Sequence, residues 1–126
     1  MSLYVDPAVV RAPGEVTFNS IPVNKYNKTV AEELASGKYT KEDLVRIFRD
    51  MTVLREFETM LNLIKTQSLY NGIEHTYPGP AHLSIGQEAA CVGQAYLLDE
   101  NDFAFGSHRS HSEILAKALS TINKMS

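Results

Sequence analysis

Apolar positions recur at helical spacing in four stretches, separated by segments where that spacing is lost. The longest has Leu44, Ile47, Phe48, Met51, Leu54, Phe57, Leu61 and Ile64 one, three or four residues apart. These form one stripe of a helix over about 41–66. Lys41, Glu42, Arg46, Arg49, Asp50 and Glu56 fall opposite, as on a half-buried scaffold helix. Thr40 and Asp43 mark its start. The stretch "TVAEELASG" predicts a shorter helix before it, with Thr29 and Glu32 at capping-box spacing and Gly37 at the stop.

A third helix is predicted from Ile85 or Gly86 to about Leu98, opened by Ser84 and Gln87 as another capping pair. Gly86, Ala90 and Gly93 leave one face without bulk, as close packing of a second backbone requires. Ile85, Tyr96 and Leu97 form its core face. The fourth helix starts near His111, with Ser110 and Glu113 in capping positions and Ile114, Leu115 and Leu119 on its apolar side. Phe103 and Phe105 of "FAFG" read as a short buried strand ahead of it.

Elsewhere the pattern is irregular. Residues 1–28 carry Pro7, Pro13, Gly14 and Pro22 and read as an extended arm. "EVTFNSIPV" could pair as one edge strand, within the limit set by Pro22. Residues 67–83 include "YNGIEHTYPGPAH", with two Gly and two Pro, and read as a loop. A loop this long is either functional or a solvated connector. The expected fold class is therefore mainly α with one or two short strands, as an arm (1–28) followed by a helical part (29–126).

Composition narrows the function. The chain has 126 residues, 44% apolar and 21% charged, enough for one modest domain. A net charge of −3 gives no basic field for nucleic acid. No apolar run is long enough to span a membrane, and "MSLYVDPAVV" does not read as a signal peptide. The single cysteine, Cys91, cannot form an internal disulfide and fits a reducing, cytoplasmic setting.

The chemistry concentrates before the last helix. A strand, a polar loop bearing Arg109 and a helix N-terminus favour an anion, because free N–H groups and a guanidinium fork both donate. A surface salt bridge is the plainer reading of Arg109 taken by itself. His82 follows a Pro-Gly-Pro turn beside another helix start. A metal site from His75, His82, His108 and His111 lacks suitable helical spacing.

"HLSIGQEA" followed by "DFAFGSHRSH", with "LVRIFRDMTVLREFETML" upstream, resembles the alpha part of the thiamine-diphosphate-dependent 2-oxo acid dehydrogenases. This is the decarboxylating component of the pyruvate, branched-chain and acetoin systems. The resemblance covers about residues 29–120 and looks closest to versions with fused alpha and beta parts. It implies the N-terminal piece of an α/β thiamine-diphosphate-binding fold, and oxidative decarboxylation of a 2-oxo acid with acyl transfer to a lipoyl group. It also implies that Arg109 binds the cofactor diphosphate together with His108, which stands where the family commonly has tyrosine. His111 matches the histidine two positions after the arginine, and His82 one near the substrate end of the cofactor; both are the expected catalytic residues.

The family's magnesium run, Gly-Asp-Gly followed later by Asn, does not occur in the 126 residues. Magnesium ligands and the activating glutamate of the beta part would then come from outside this chain. The expected partners are that beta part and a lipoyl-bearing acyltransferase, in a homo- or hetero-oligomer. The chain reads as the opening piece of a larger enzyme, inactive alone. A non-catalytic helical packing or assembly domain is the alternative.

Overall fold

Two threonines set the first helices. In the computed structural model, which describes residues 6–15, 19–21, 23 and 25–125, Thr29 and Thr40 both close full capping boxes. Thr29 accepts from the Glu32 amide while the Glu32 carboxylate accepts from the Thr29 amide, which starts α2 (Val30–Ala35). Thr40 and Asp43 do the same for α3 (Lys41–Gln67). Each box satisfies two amides that a helix start leaves without partners. Ahead of them, Pro7–Val10 form a single turn, α1, capped by Asp6. Four of the nine residues of the edge strand considered for "EVTFNSIPV" lie outside the described residues, and the other five form no strand.

α3 ends at Ser68, which takes the left-handed conformation at φ 54°. The chain then forms a hairpin where sequence pattern suggested only loop. β1 (Leu69–Tyr70) pairs antiparallel with β2 (Ile73–Glu74) in the register Leu69–Glu74 and Tyr70–Ile73. Asn71 and Gly72 make the connection at φ 50° and 78°, the backbone that a two-residue hairpin of the right twist needs.

α4 covers Glu88–Ala95 and α5 covers His111–Lys124. α4 is shorter than the expected Ile85–Leu98, and its first residues explain why. Ser84 is fully buried and turns inward, away from a capping role. Gly86 then reverses the chain at φ 94°, and Gln87 opens the helix without a side-chain cap. The Ser110–Glu113 box is absent too. Ser110 sits at φ −78°, ψ 9°, not in the extended backbone that brings a capping hydroxyl onto the helix amides.

α3, α4 and α5 pack together. Their apolar centre is Leu54, Cys91, Val92, Ala95 and Ala116, with Ile47, Met51, Leu115 and Leu119 against it. The stripe expected on α3 is only partly the buried one. The residues buried on α3 are Asp50, Leu54 and Glu58, four apart and so in one line along the helix. Asp50, expected on the outer face, is buried, whereas Phe48 is 72% exposed. The core face expected on α4 is corrected as well: Leu97 is 81% and Ile85 43% exposed. Tyr96 is half-buried; it donates to Asp43 at 2.7 Å and lies under the Arg46 guanidinium at 4.3 Å.

Residues 102–107 form no strand, and Phe103 and Phe105 are exposed. A strand needs a neighbour for its amides and carbonyls, and β1 and β2 pair only with each other. Among the described residues no helix is long and apolar enough to cross a membrane.

Candidate functional site

The buried centre of the three-helix unit is largely polar, and the candidate site grows from it. Glu58 is completely buried in α3. Its Oε2 accepts from the Ser84 amide at 2.9 Å. Its Oε1 accepts from the Ser84 hydroxyl at 2.8 Å and from the Ser112 hydroxyl at 3.4 Å. His111 Nδ1 lies 3.1 Å from the same oxygen. One carboxylate thus joins the segment before α4 to the first turn of α5. These donors offset the cost of burying it, which would otherwise be several kcal/mol.

A second carboxylate shapes the entry to α4. Glu88, also buried, takes a fork of bonds from Arg55 at 2.7 and 3.0 Å and one from the Gly86 amide at 2.9 Å. The Arg55 bonds are the main reason its carboxyl is held down at about 2.

This frame gathers the expected site residues around the segments before α4 and α5. The rings of His82 and His108 meet edge to face with centroids 4.9 Å apart, although 26 positions separate them in sequence (108 − 82). His111 opens α5 and tilts against Phe57. Arg109, between His108 and His111, is exposed. Its backbone amide donates to Ser107 Oγ at 3.2 Å, and its guanidinium makes no hydrogen bond or ion pair among the described residues. The surface salt bridge considered for Arg109 is not formed there.

One feature suits this loop to an anion. The Ser110 hydroxyl does not cap α5, so the first amides of that helix keep their donor capacity. Gly106 lies so close to the helix start that a Cβ there would run into the Ser110 side chain. No group of three or more metal-ligating side chains occurs among the described residues. An apolar cleft of about 420 Å³ lined by Tyr39, Ile47, Met51, Val92, Gly93 and Leu97 lies elsewhere and includes none of the four expected site residues.

Glu58, Ser84 and Ser112 were not legible as site residues. The sign available in the sequence was a carboxylate at the helical spacing of Leu54 and Leu61, inside an apolar stripe where an unpaired charge is not expected.

Comparison with known proteins shows the family of the chain. The family model described as the dehydrogenase E1 component matches residues 49–126, and the chain belongs to that family. It is similar to the alpha subunit of acetoin:2,6-dichlorophenolindophenol oxidoreductase of Cupriavidus necator, 30% identical over 75% of this chain and 26% of the relative. The pyruvate dehydrogenase E1 alpha subunit of Rhizobium meliloti is 30% identical over 74% of this chain and 26% of the relative. That of Porphyra purpurea is 35% identical over 68% and 23%. The chain thus spans about a quarter of the length of these curated relatives. No solved structure matches it significantly.

Proposed function

We propose that this chain is the N-terminal part of the alpha portion of a thiamine-diphosphate-dependent 2-oxo acid dehydrogenase, and that it supplies part of the diphosphate site. The carrying observation is the loop before α5, where an uncommitted Arg109 guanidinium, the His108 ring and the uncapped start of α5 come together. This donor set fits a diphosphate: an arginine fork makes two parallel bonds to its oxygens, and helix amides add more.

Arg109 and His108 are the cofactor-binding residues in this reading, and His82 and His111 are the catalytic ones at the reacting end. When bound, thiamine diphosphate supplies the electron sink for cleaving the bond beside a 2-oxo group. The chain's own residues bind and orient. Arg109 fixes the anionic end, the His82–His108 contact keeps both imidazoles at one place, and Glu58 ties α5 to the segment before α4.

Magnesium ligands come from outside this chain. Residues 29–126 form the opening of the catalytic domain, with 1–28 as its arm. The beta part and a lipoyl-bearing acyltransferase are the partners, and a cytoplasmic setting suits the single buried thiol of Cys91.

The test is calorimetric titration of thiamine diphosphate into the enzyme assembled with its beta part. Arg109→Ala weakens binding about ten- to hundredfold, as loss of charge-assisted bonds worth roughly 1.5–3 kcal/mol requires. Arg109→Lys recovers only part, because an ammonium cannot copy the planar fork. An unchanged dissociation constant for Arg109→Ala overturns the assignment.

A further inference from the structure

Glu58 stands out because its contacts run to Ser84, Ser112 and His111, beyond the two residues assigned to the diphosphate. It has no exposed surface, and a carboxylate stripped of water persists only where donors surround it. The supply is closely matched. The Ser84 amide and hydroxyl donate to it at 2.9 and 2.8 Å. The Ser112 hydroxyl lies 2.8 Å from that of Ser84 and 3.4 Å from Glu58, so its one proton also has an acceptor. The remaining contact is His111 Nδ1 at 3.1 Å. An ionised carboxylate only accepts, so the imidazole nitrogen facing it must carry a proton.

We infer that Glu58 is a positioning residue that holds His111 with its proton on Nδ1 and leaves Nε2 as the ring nitrogen open to a ligand. Three observations carry this. The carboxylate is buried while the His111 side chain keeps 34% of its surface, so one ring nitrogen faces inward and the ring still reaches solvent. Phe57 packs against the ring with centroids 6.4 Å apart, which limits its rotation. Ser84 and Ser112 hold the carboxylate from two other segments, so Glu58 is itself fixed. A free histidine side chain prefers the proton on Nε2; the partner at the other nitrogen decides which form a protein keeps. The inference rests on the proposed reading of His111 as a site residue only for its consequence in turnover.

The test uses the full 126-residue chain labelled with nitrogen-15 histidine, with long-range nitrogen–proton correlation spectra. His111→Gln identifies the signals of His111 among the four histidines. With pH raised until the spectra show the imidazole to be neutral, His111 is expected with its proton on Nδ1. A folded Glu58→Leu variant should return it to the Nε2-protonated form. Nε2-protonated His111 in the unaltered chain overturns the inference, and needs no variant to fold. So does an Nδ1 proton that persists in folded Glu58→Leu.

In the enzyme assembled with its beta part, Glu58→Gln should lower kcat at least about tenfold and alter its pH profile. That is the usual cost of removing the group that orients a functional histidine. Unchanged kcat and pH profile overturn the positioning role. An unaltered assembled enzyme without turnover overturns the functional reading instead, while the spectra still decide the protonation state of His111.

Discussion

Glu88 is held in a nearly dry place by a half-exposed arginine, and that pairing makes a stability prediction with a definite sign. Its folded pKa lies at about 2, below the ordinary 4.5, chiefly because of the bonds from Arg55. A carboxylate with a depressed folded pKa binds its proton more readily in the unfolded chain. Its contribution is therefore complete above about 4.5 and is lost as pH falls toward 2. Thermal unfolding across this range should show the unaltered chain losing its advantage over Glu88→Gln as pH drops. A constant gap would show that the pair does not act this way. Gly106 gives a second residue-scale prediction. Gly106→Ala places a methyl against Ser110 with Glu113 Oε2 2.8 Å away, and overpacking of this kind costs about 1–3 kcal/mol. Lower stability in urea, with a displaced loop before α5, is the expected result. An unchanged midpoint and loop position would count against it.

At the scale of elements, the sequence was most informative where local chemistry decides the outcome. Thr29 with Glu32 and Thr40 with Asp43 cap their helices as their spacing indicates. Thr40→Ala should destabilise by about 1 kcal/mol through loss of the N-cap, readable as a lowered unfolding midpoint. Ser84 and Ser110 carry the same pattern, but tertiary contacts and backbone geometry take them elsewhere. Ser84 is claimed by Glu58 on α3, 26 residues away, and nothing local marks that choice. Asn71-Gly72 is a hairpin sign masked by the loop-like composition around it. The close-packing face expected on α4 meets a different environment: a Cβ at Gly93 finds nothing within 4 Å. Gly93→Ala should therefore stabilise this chain by about 0.5–1 kcal/mol, because glycine inside a helix is costly and the space is open. A loss of stability in the chain alone would mean the face is already occupied. A loss only in the enzyme assembled with its beta part would locate the expected close approach there.

For the whole molecule, the four expected site residues occupy only the loops before α4 and α5 and the start of α5, which limits what this chain can do. On the proposed reading the magnesium ligands and the beta part lie outside the chain, so it should show no decarboxylation of a 2-oxo acid with thiamine diphosphate, magnesium and an artificial electron acceptor. Turnover clearly above a buffer blank would contradict this. The family was legible because its residues are contiguous strings, whereas the polar centre was not, because it is assembled from three separated segments. The end of α4 has a consequence for how these helices share stability. Its last carbonyls are not closed by a glycine. Ser120 and Lys124 of α5 donate instead to the oxygens of Tyr96, the C-cap of α4, and of Leu98 in the turn beyond, at 2.6 to 3.2 Å. An eight-residue helix is too short to persist alone in water. α5 therefore lends α4 part of its stability, and a Lys124→Ala, Ser120→Ala variant should lose hydrogen-exchange protection across α4 as well as at the end of α5.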